Sequence, residues 1–586
     1  MRDLVIVSNR GPFAFSESFI SQARESLRIH APPVSPKFGE GGLVQAMAGL
    51  LKSGRWKPIW IGASLGDKDI DVAYGHHTEL FEAMHERGYA PDRFPHIVLE
   101  PNKRIHFRYR EYDFYMRLVF FDAEHMHSYY TTFANGFLWP LMHLTRSPLL
   151  YKTKERVFPR PVFRKNDYLQ YTSSGVTFAH IVFDETKKSQ PLWRKGDQFI
   201  VWNQDYHLMQ VAECYKGLLH MEGLTQKERH RIHVGQFMHT PFFNIHEIQG
   251  LIREDKRRRK RTYRFDPFPE SMESVLQKLT WGMLANDFVG FHHKEYCDNY
   301  LEALQEWFPR YHVTIRQREQ FYEVSHPNGV TTLGVFPIGL DVHKILDAVK
   351  DDRTLEYQHE AEDLYEMIRN DRKSGRLIFG GLERCDYTKG LIARLEIFAS
   401  ALRRLRQVKG KRMDARLYQV TSPSRSDSPD YRNLESLLKE QVRVKNEGLG
   451  HDVEPIVHLG RGVPPPQNYR FMKEIDVMLV TPLEDGMNLV ALEYILSQKH
   501  RRKRGLLVLG NCGAARVLRG SGFKEEDGVV YVDPSKEEHA GERIVELLLR
   551  GASLSGRLID HVEREFRVDE WARKNIEAIV SSRKRT

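Results

Sequence analysis

Two carboxylates eight residues apart, Asp485 and Glu493, bracket the start of an apolar run in the segment Val480-Thr-Pro-Leu-Glu-Asp485-Gly-Met-Asn488-Leu489-Val-Ala-Leu-Glu493. Val477 to Val480 is a short β-branched and apolar stretch, Thr481 to Gly486 carries proline and glycine, and Leu489, Leu492 and Ile495 recur with helical spacing. The pattern predicts a strand, a loop and then a helix whose N-terminus falls at Asn488 and Leu489. Unpaired amides and the positive end of the helix dipole at that point suit an anion, and a glutamate one turn further in suits sugar hydroxyls. A nucleotide sugar has both parts. An ordinary capped helix beside an acidic turn is equally compatible with this segment alone.

Other residues of chemical interest also stand at strand-to-loop junctions. Glu383-Arg384-Cys-Asp386-Tyr-Thr-Lys389-Gly390 follows one apolar strand and Pro423-Ser-Arg425 follows the next. Arg384 and Lys389 can converge on one diphosphate, although an Arg384–Asp386 pair with a solvated Lys389 explains the same residues. Near the N-terminus, the first strand delivers Ser8-Asn-Arg10, and a glycine loop, Phe38-Gly-Glu-Gly41-Gly42-Leu43, opens a helix-like run. Glycines there permit close approach of backbone to phosphate, and equally a tight turn. Asp205 in Trp202-Asn-Gln-Asp205-Tyr-His207 and His239 in Met238-His239-Thr-Pro241-Phe-Phe243 follow two further buried strands; a strand-end histidine before Thr-Pro is often a satisfied structural imidazole, but the cleft edge it shares with Asp205 favours a role in binding hydroxyls.

The elements that must position these residues fall into two series. Leu4–Val7, Pro58–Ile61, Phe199–Trp202 and His233–Met238 are apolar runs followed by helix-like segments, and Arg376–Phe379, Ala415–Val420, Val477–Val480 and Gly505–Leu509 repeat the arrangement. The expected fold class is α/β, with two Rossmann-like doubly wound domains facing across a cleft. An acceptor-binding domain is expected over residues 1–345 and a nucleotide-sugar domain over 346–555, with a C-terminal helix over 556–586 returning to the first. The charged, helix-favouring residues 342–375 are expected to bridge them.

A chain of 586 residues is too long for a single core. The absence of any apolar run long enough to span a bilayer and the entry from Met1-Arg-Asp directly into a strand point to a cytoplasmic, unanchored protein. Four scattered cysteines without a CxxC pair argue against a disulfide framework and a structural zinc, and His292-His293 lacks metal-ligand spacing. No metal or other cofactor is expected. The formal charge of +10 owes part of its excess to the runs Lys256–Arg261 and Lys499–Arg504. Neither is interleaved with stacking aromatics, so nucleic acid and membrane are not expected partners, whereas a positive field would steer phosphorylated substrates. Association between copies of the chain stays open.

Taken in order, Ser8-Asn-Arg10, the Gly-Gly loop, Tyr130 with Leu138-Trp139-Pro140, Asp205-Tyr-His207, His239, Phe336-Pro-Ile-Gly339, Arg384 with Lys389, Arg425 and Asp485 to Glu493 resemble the trehalose-6-phosphate synthases, retaining glycosyltransferases of the GT-B type, over nearly the whole chain. The resemblance implies transfer of glucose from a nucleotide-glucose, UDP-glucose first among the donors, to glucose 6-phosphate. Gly42, His239, Arg384, Lys389, Asp485, Asn488, Leu489 and Glu493 would meet the donor. Arg10, Tyr130, Trp139, Asp205 and Arg425 would meet the acceptor, with Arg10, Tyr130 and Arg425 around its phosphate. His239, Arg384, Lys389 and Asp485 form the implied catalytic set: the two cations meet the charge growing on the leaving diphosphate, Asp485 and His239 hold sugar hydroxyls, and Glu493 takes the ribose.

The resemblance has departures. Gln204 stands where the family pattern has histidine, His239-Thr-Pro-Phe-Phe243 replaces His-Ile-Pro-Phe-Pro, and residues 66–127, 145–196 and 253–272 read as insertions. Relatives that use glycerol phosphate or cyclitol acceptors, and a non-catalytic carbohydrate-binding regulatory homologue, are the competing expectations. The donor base is left open among uridine, guanosine and adenosine.

Overall fold

The computed structural model describes residues 2–29, 58–64, 66–87, 95–110, 112–143, 161–193, 197–262, 270–311, 313–350, 359–409, 414–425, 428–450, 453–534 and 536–583. The chain divides into two compact units. The first holds the described residues up to Phe336 together with Asp569 onward, and the second holds Pro337–Val568. The crossing thus falls at 336/337 rather than after 345.

In the first unit, eleven strands form one sheet: β1 (Arg2–Arg10), β2 (Pro58–Ala63), β3 (His96–Glu100), β4 (Arg104–Tyr109), β5 (Tyr112–Val119), β6 (Gln198–Gln204), β7 (Ile232–Met238), β8 (Phe288–Phe291), β9 (Thr314–Arg318), β10 (Phe321–His326) and β11 (Gly329–Val335). Their order is β3-β4-β5-β2-β1-β6-β7-β8-β11-β10-β9. The seven central strands, from β5 to β11, pair in parallel, and antiparallel strands extend both edges. Leu4–Val7 and Phe199–Trp202 are completely buried, as expected of strands covered on both faces.

The second unit's sheet is wholly parallel. Its strands are β12 (Leu377–Arg384), β13 (Ala415–Ser422), β14 (Ile456–Leu459), β15 (Val477–Val480), β16 (Leu506–Leu509) and β17 (Val529–Tyr531). The order β14-β13-β12-β15-β16-β17 is that of a dinucleotide-binding sheet, in which ligands collect at the carboxyl ends of the two strands where the order reverses. Those strands are β12 and β15. In the first sheet the reversal lies between β1 and β6.

The segments read as bridge, tail and insertions take other roles. Helices Val342–Lys350 and His359–Lys373 belong to the second unit. The C-terminal stretch is two helices: Gly556–Glu565 stays with the second unit, while most of Val568–Ser582 returns to the first. There Trp571 lies 5.2 Å from Trp202 and 5.0 Å from Phe237, ring to ring, and donates to the Phe336 carbonyl at 3.2 Å. Residues 66–127 supply the β3–β5 meander. The helix Lys165–Ser189 buries Tyr168, Tyr171 and Glu185, and Glu185 binds Arg117 at 2.7 Å and also pairs with Arg104. A helix with such a buried face is part of the framework.

Candidate active site

β12 ends at Arg384 and turns through Tyr387–Lys389 to Gly390, whose φ is +59°. A Cβ at Gly390 would lie 2.0 Å from the Thr481 carbonyl oxygen, so only glycine fits where this turn passes the end of β15. The turn buries Lys389 and directs Nζ to Oδ2 of Asp485 at 2.5 Å, with Oε2 of Glu383 at 3.6 Å. Burial alone would depress the Lys389 amine, but Asp485 and Glu383 outweigh it and the net direction is upward. After β15, Asn488 adopts a left-handed conformation, φ +57°, and starts the helix Leu489–Ser497. Its Nδ2 donates to Glu383 Oε1 and Asp485 Oδ2, both at 3.0 Å. One carboxylate pair therefore holds both the lysine and the helix start.

Glu493 lies one turn inside that helix and is buried. Burial, reinforced by the charge of Glu383, pushes its carboxyl up to about 7. Arg384 contrasts with Lys389. It is exposed and, among the described residues, makes no hydrogen bond or ion pair, although its charge helps hold Asp386 low. Arg425, φ +48°, donates to Asp386 Oδ2 at 3.1 Å and to the Tyr431 hydroxyl, with its guanidinium 5.2 Å from the Tyr431 ring centre. Burial raises the Asp386 carboxyl, but Arg425 and Arg384 outweigh that and keep it below the ordinary range.

The sequence reading missed one member of this group. Arg394 is completely buried beneath the site, with Nη2 3.8 Å from Glu383 and Nε 3.3 Å from the Thr481 hydroxyl. A Cβ at Gly381 would lie 2.6 Å from its Nη1, so the strand makes room for the guanidinium. Burial pulls Arg394 down to about 10 against the pull of Glu383. The available signal was an arginine inside the apolar stretch Leu391-Ile-Ala-Arg-Leu-Glu-Ile-Phe.

In the first unit, consecutive residues at the end of β1 anchor separate partners. Trp60 Nε1 donates to Ser8 Oγ at 2.6 Å, Tyr129 to Asn9 Oδ1 at 2.8 Å, and Arg10 Nη2 to the Tyr130 hydroxyl at 2.6 Å. Tyr129 and Tyr130 belong to a π-helix, His127–Leu138, a geometry frequent at functional sites. Asn135 Nδ2 bonds the Tyr130 carbonyl at 2.9 Å and its Oδ1 accepts from Tyr206 at 2.8 Å, which ties the π-helix to the loop after β6. Tyr130 stacks on His207 at 5.7 Å, and buried Trp139 lies 3.9 Å from His143 and 5.9 Å from Tyr206.

Asp205 ends β6 with φ +69°, and its Oδ1 accepts from the His239 amide at 3.1 Å and from the Thr240 hydroxyl at 3.3 Å. Burial raises its carboxyl to about 6, with amides of Tyr206 and His239 limiting the rise. His239 faces Gln204, Nε2 to Oε1 at 2.9 Å, and burial together with His292 drives its imidazole well below the usual range. The structure thus brings Arg10 together with Tyr130 and Asp205 together with His239 in one unit, and Lys389, Asp485, Asn488, Leu489 and Glu493 in the other. Gly42 lies outside the described residues. Among the described residues no group of three or more His, Cys, Asp or Glu side chains is placed to hold a metal ion, and no helix is long and apolar enough to cross a membrane.

Two doubly wound units with polar groups gathered where each strand order reverses define a nucleotide-sugar transferase fold of the GT-B type. The chain belongs to glycosyltransferase family 20, whose family pattern matches residues 3–249 and 265–548. It is 28% identical over 587 residues to the trehalose-6-phosphate synthase of Mycobacterium avium, covering 99% of this chain and 96% of that one. It is 26% identical over 549 residues to the 56 kDa subunit of the UDP-forming α,α-trehalose-phosphate synthase of Saccharomyces cerevisiae, covering 93% and 87%. Among solved structures, it is similar to the Burkholderia xenovorans α,α-trehalose-phosphate synthase (UDP-forming) in complex with glucose-6-phosphate, with TM-score 0.65, 19% identity, and coverage of 99% and 100%. The E. coli trehalose-6-phosphate protein bound with UDP-2-fluoro glucose gives 0.64, 20%, and 99% of both chains.

Proposed function

We propose that this chain transfers glucose from UDP-glucose to glucose 6-phosphate with retention of configuration, forming trehalose 6-phosphate and UDP. The observation that carries the reading is the Lys389–Asp485–Asn488 cluster at the switch point between β12 and β15, beside a helix N-terminus. Breaking the bond between the anomeric carbon and the diphosphate builds positive charge on the sugar and negative charge on the leaving oxygen. Arg384, Lys389 and the first-turn amides at Leu489 suit that negative charge. Arg384, with no ion pair among the described residues, has the more available cation. Lys389 arrives preorganised on Asp485.

In this reading Asp485 and His239 hold hydroxyls of the transferred glucose, Glu493 takes the ribose, and Gly42 approaches the donor. Arg10, Tyr130 and Arg425 take the acceptor phosphate, with Trp139 and Asp205 against the acceptor sugar. The acceptor hydroxyl attacks the anomeric carbon on the face the diphosphate leaves, and its proton passes to the departing phosphate oxygen. A cytoplasmic setting suits the four free thiols.

The test is a panel of UDP-, GDP- and ADP-glucose against glucose 6-phosphate and glycerol 3-phosphate, scored for nucleoside diphosphate and for the disaccharide phosphate. Release of UDP that depends on glucose 6-phosphate is the expected result. Release that follows glycerol 3-phosphate instead, or no release with any pair, would overturn the reading.

A further inference from the structure

His239 lies at the end of β7 with its ring beside Phe237 and Trp571, centroids 4.8 and 5.9 Å away. Its Nε2 stands 2.9 Å from Oε1 of Gln204. Gln204 is itself completely buried, and its Nε2 donates to the Trp202 carbonyl at 3.4 Å. Reversing that amide would set its oxygen against the carbonyl oxygen, so the contact with Trp202 favours the orientation in which Oε1 meets His239. An amide oxygen only accepts, so the imidazole proton belongs on Nε2. The neutral ring then has a lone pair and no hydrogen on Nδ1. His239 is half-buried, and among the described residues Nδ1 makes no hydrogen bond.

We propose that Gln204 is a positioning residue that fixes His239 as the Nε2–H tautomer, so that Nδ1 accepts a hydrogen bond from a sugar hydroxyl and turns away an oxyanion. The sugar part of this inference rests on the function proposed above, and the tautomer part does not. A histidine at position 204 could donate or accept and would leave the tautomer undecided. The surroundings favour a ring that stays neutral. His292, 5.3 Å away, is itself depressed by burial to about 3. Asp205 meets the His239 backbone amide. Phe237 and Trp571 bring no charge.

The experiment begins with the 15N spectrum of the full-length chain labelled in histidine, the His239 signals being those lost in His239→Gln. The wild type should show a bare Nδ1 and a protonated Nε2. Gln204→Leu, which removes the acceptor, should move both signals toward the average of two tautomers and raise KM for UDP-glucose about fivefold or more, with a smaller change in kcat. Gln204→Glu keeps an acceptor and so keeps the tautomer, but its charge favours a second proton, so kcat/KM for the donor should fall further on the acid side than in the wild type, whose own acid-side change comes from Glu493 and Asp205.

A wild-type ring protonated at Nδ1 overturns the proposal, as does a Gln204→Leu spectrum identical to wild type. A shifted spectrum with unchanged KM overturns the hydroxyl contact, and so does a Gln204→Glu pH profile that matches the wild type's. If the wild type shows the Nε2–H tautomer yet transfers no glucose, it is the function proposed above that fails, and the tautomer assignment stands.

Discussion

In the second unit, cations and carboxylates are buried against one another: Lys389 on Asp485 and Glu383, Arg394 on Glu383, Arg425 on Asp386. In the first, the loops after β1, β6 and β7 present mostly neutral hydrogen-bonding groups and rings, with the imidazole of His239 held uncharged, Asp205 as a carboxylate bonded to neighbouring amides, and Arg10 as an exposed cation beside Tyr130. The difference matches two tasks. A leaving diphosphate gains charge as the bond breaks, and preorganised cations stabilise it in a low-dielectric site. Hydroxyl recognition, the task proposed for the first unit, needs direction more than charge, which tyrosine, tryptophan and an imidazole held as one tautomer would supply.

The largest effect should come from Lys389→Ala. Turnover should fall at least about a hundredfold. The melting transition should fall as well, because Asp485 and Glu383 lose their buried counter-ion, a loss worth about 3 kcal/mol or more. Arg384→Ala should match the kinetic loss at about a hundredfold while leaving the melt unchanged, since its side chain is exposed and unpaired among the described residues. Steady-state kinetics and calorimetry on the two variants side by side separate the roles. Equal melting losses would erase the distinction between a buried cation that builds the site and an exposed one that only serves it.

Next in size is Arg425→Ala, expected to raise KM for glucose 6-phosphate about tenfold and to leave that for UDP-glucose within about twofold. A rise confined to UDP-glucose would move Arg425 to the donor group and redraw the assignment. Arg425 is already held by Asp386 and Tyr431, so a phosphate bound as proposed would share a guanidinium that has partners of its own.

How much of this was readable beforehand depends on the range of the interaction. Strands buried on both faces announce themselves as apolar runs, so β1, β6, β7 and β15 were legible, and with them the residues at their ends. β9, Thr-Ile-Arg-Gln-Arg, is mostly exposed and carries no apolar pattern, and β3–β5 were hidden in what read as an insertion. The π-helix escaped because its wider turn has neither strand nor α-helical period. Arg394 and the bonds of Asn488 to Glu383, 105 residues away in sequence, exist only after the sheet forms. Arg384 and Lys389, by contrast, were visible as a motif, but which of them is buried was not, because the turn that decides it depends on the close passage of Gly390 past Thr481.

The charge contrast also has a pH signature. Glu493 has an ordinary value of 4.5 and is raised to about 7 in the fold, chiefly by burial. The folded protein therefore holds a proton that the unfolded chain has released. The associated stability is fully present below about pH 4.5 and is lost as pH rises through about 7. Glu493→Gln removes that dependence, so its stability relative to wild type should improve between pH 5 and pH 8, by at most about 3 kcal/mol. Chemical denaturation at both pH values measures it. A difference that does not change with pH would mean that Glu493 is solvated in the fold and that the second unit is less tightly charged than its geometry indicates.

The smallest effect is expected where charge is densest in sequence. Lys256 to Arg261 lie toward the end of the helix Ile245–Thr262. Lys256 pairs with Glu273, and Arg258 bonds the Phe163 carbonyl at 3.3 Å and lies 3.7 Å from Asp255, both side chains being more than half exposed. Exposed pairs of this kind are worth less than about 1 kcal/mol each, and none of these partners belongs to the residues assigned to donor or acceptor. Replacing all six with glutamine should therefore leave kcat and both KM values within about threefold of wild type at physiological salt. Long-range steering would appear only as a modest fall in kcat/KM at low ionic strength that vanishes on adding salt. A collapse of turnover in a variant that keeps its circular dichroism would show that recognition of the substrate's charge extends to this helix, and the contrast between the buried charges of the second unit and the more neutral loops of the first would have to be redrawn around it.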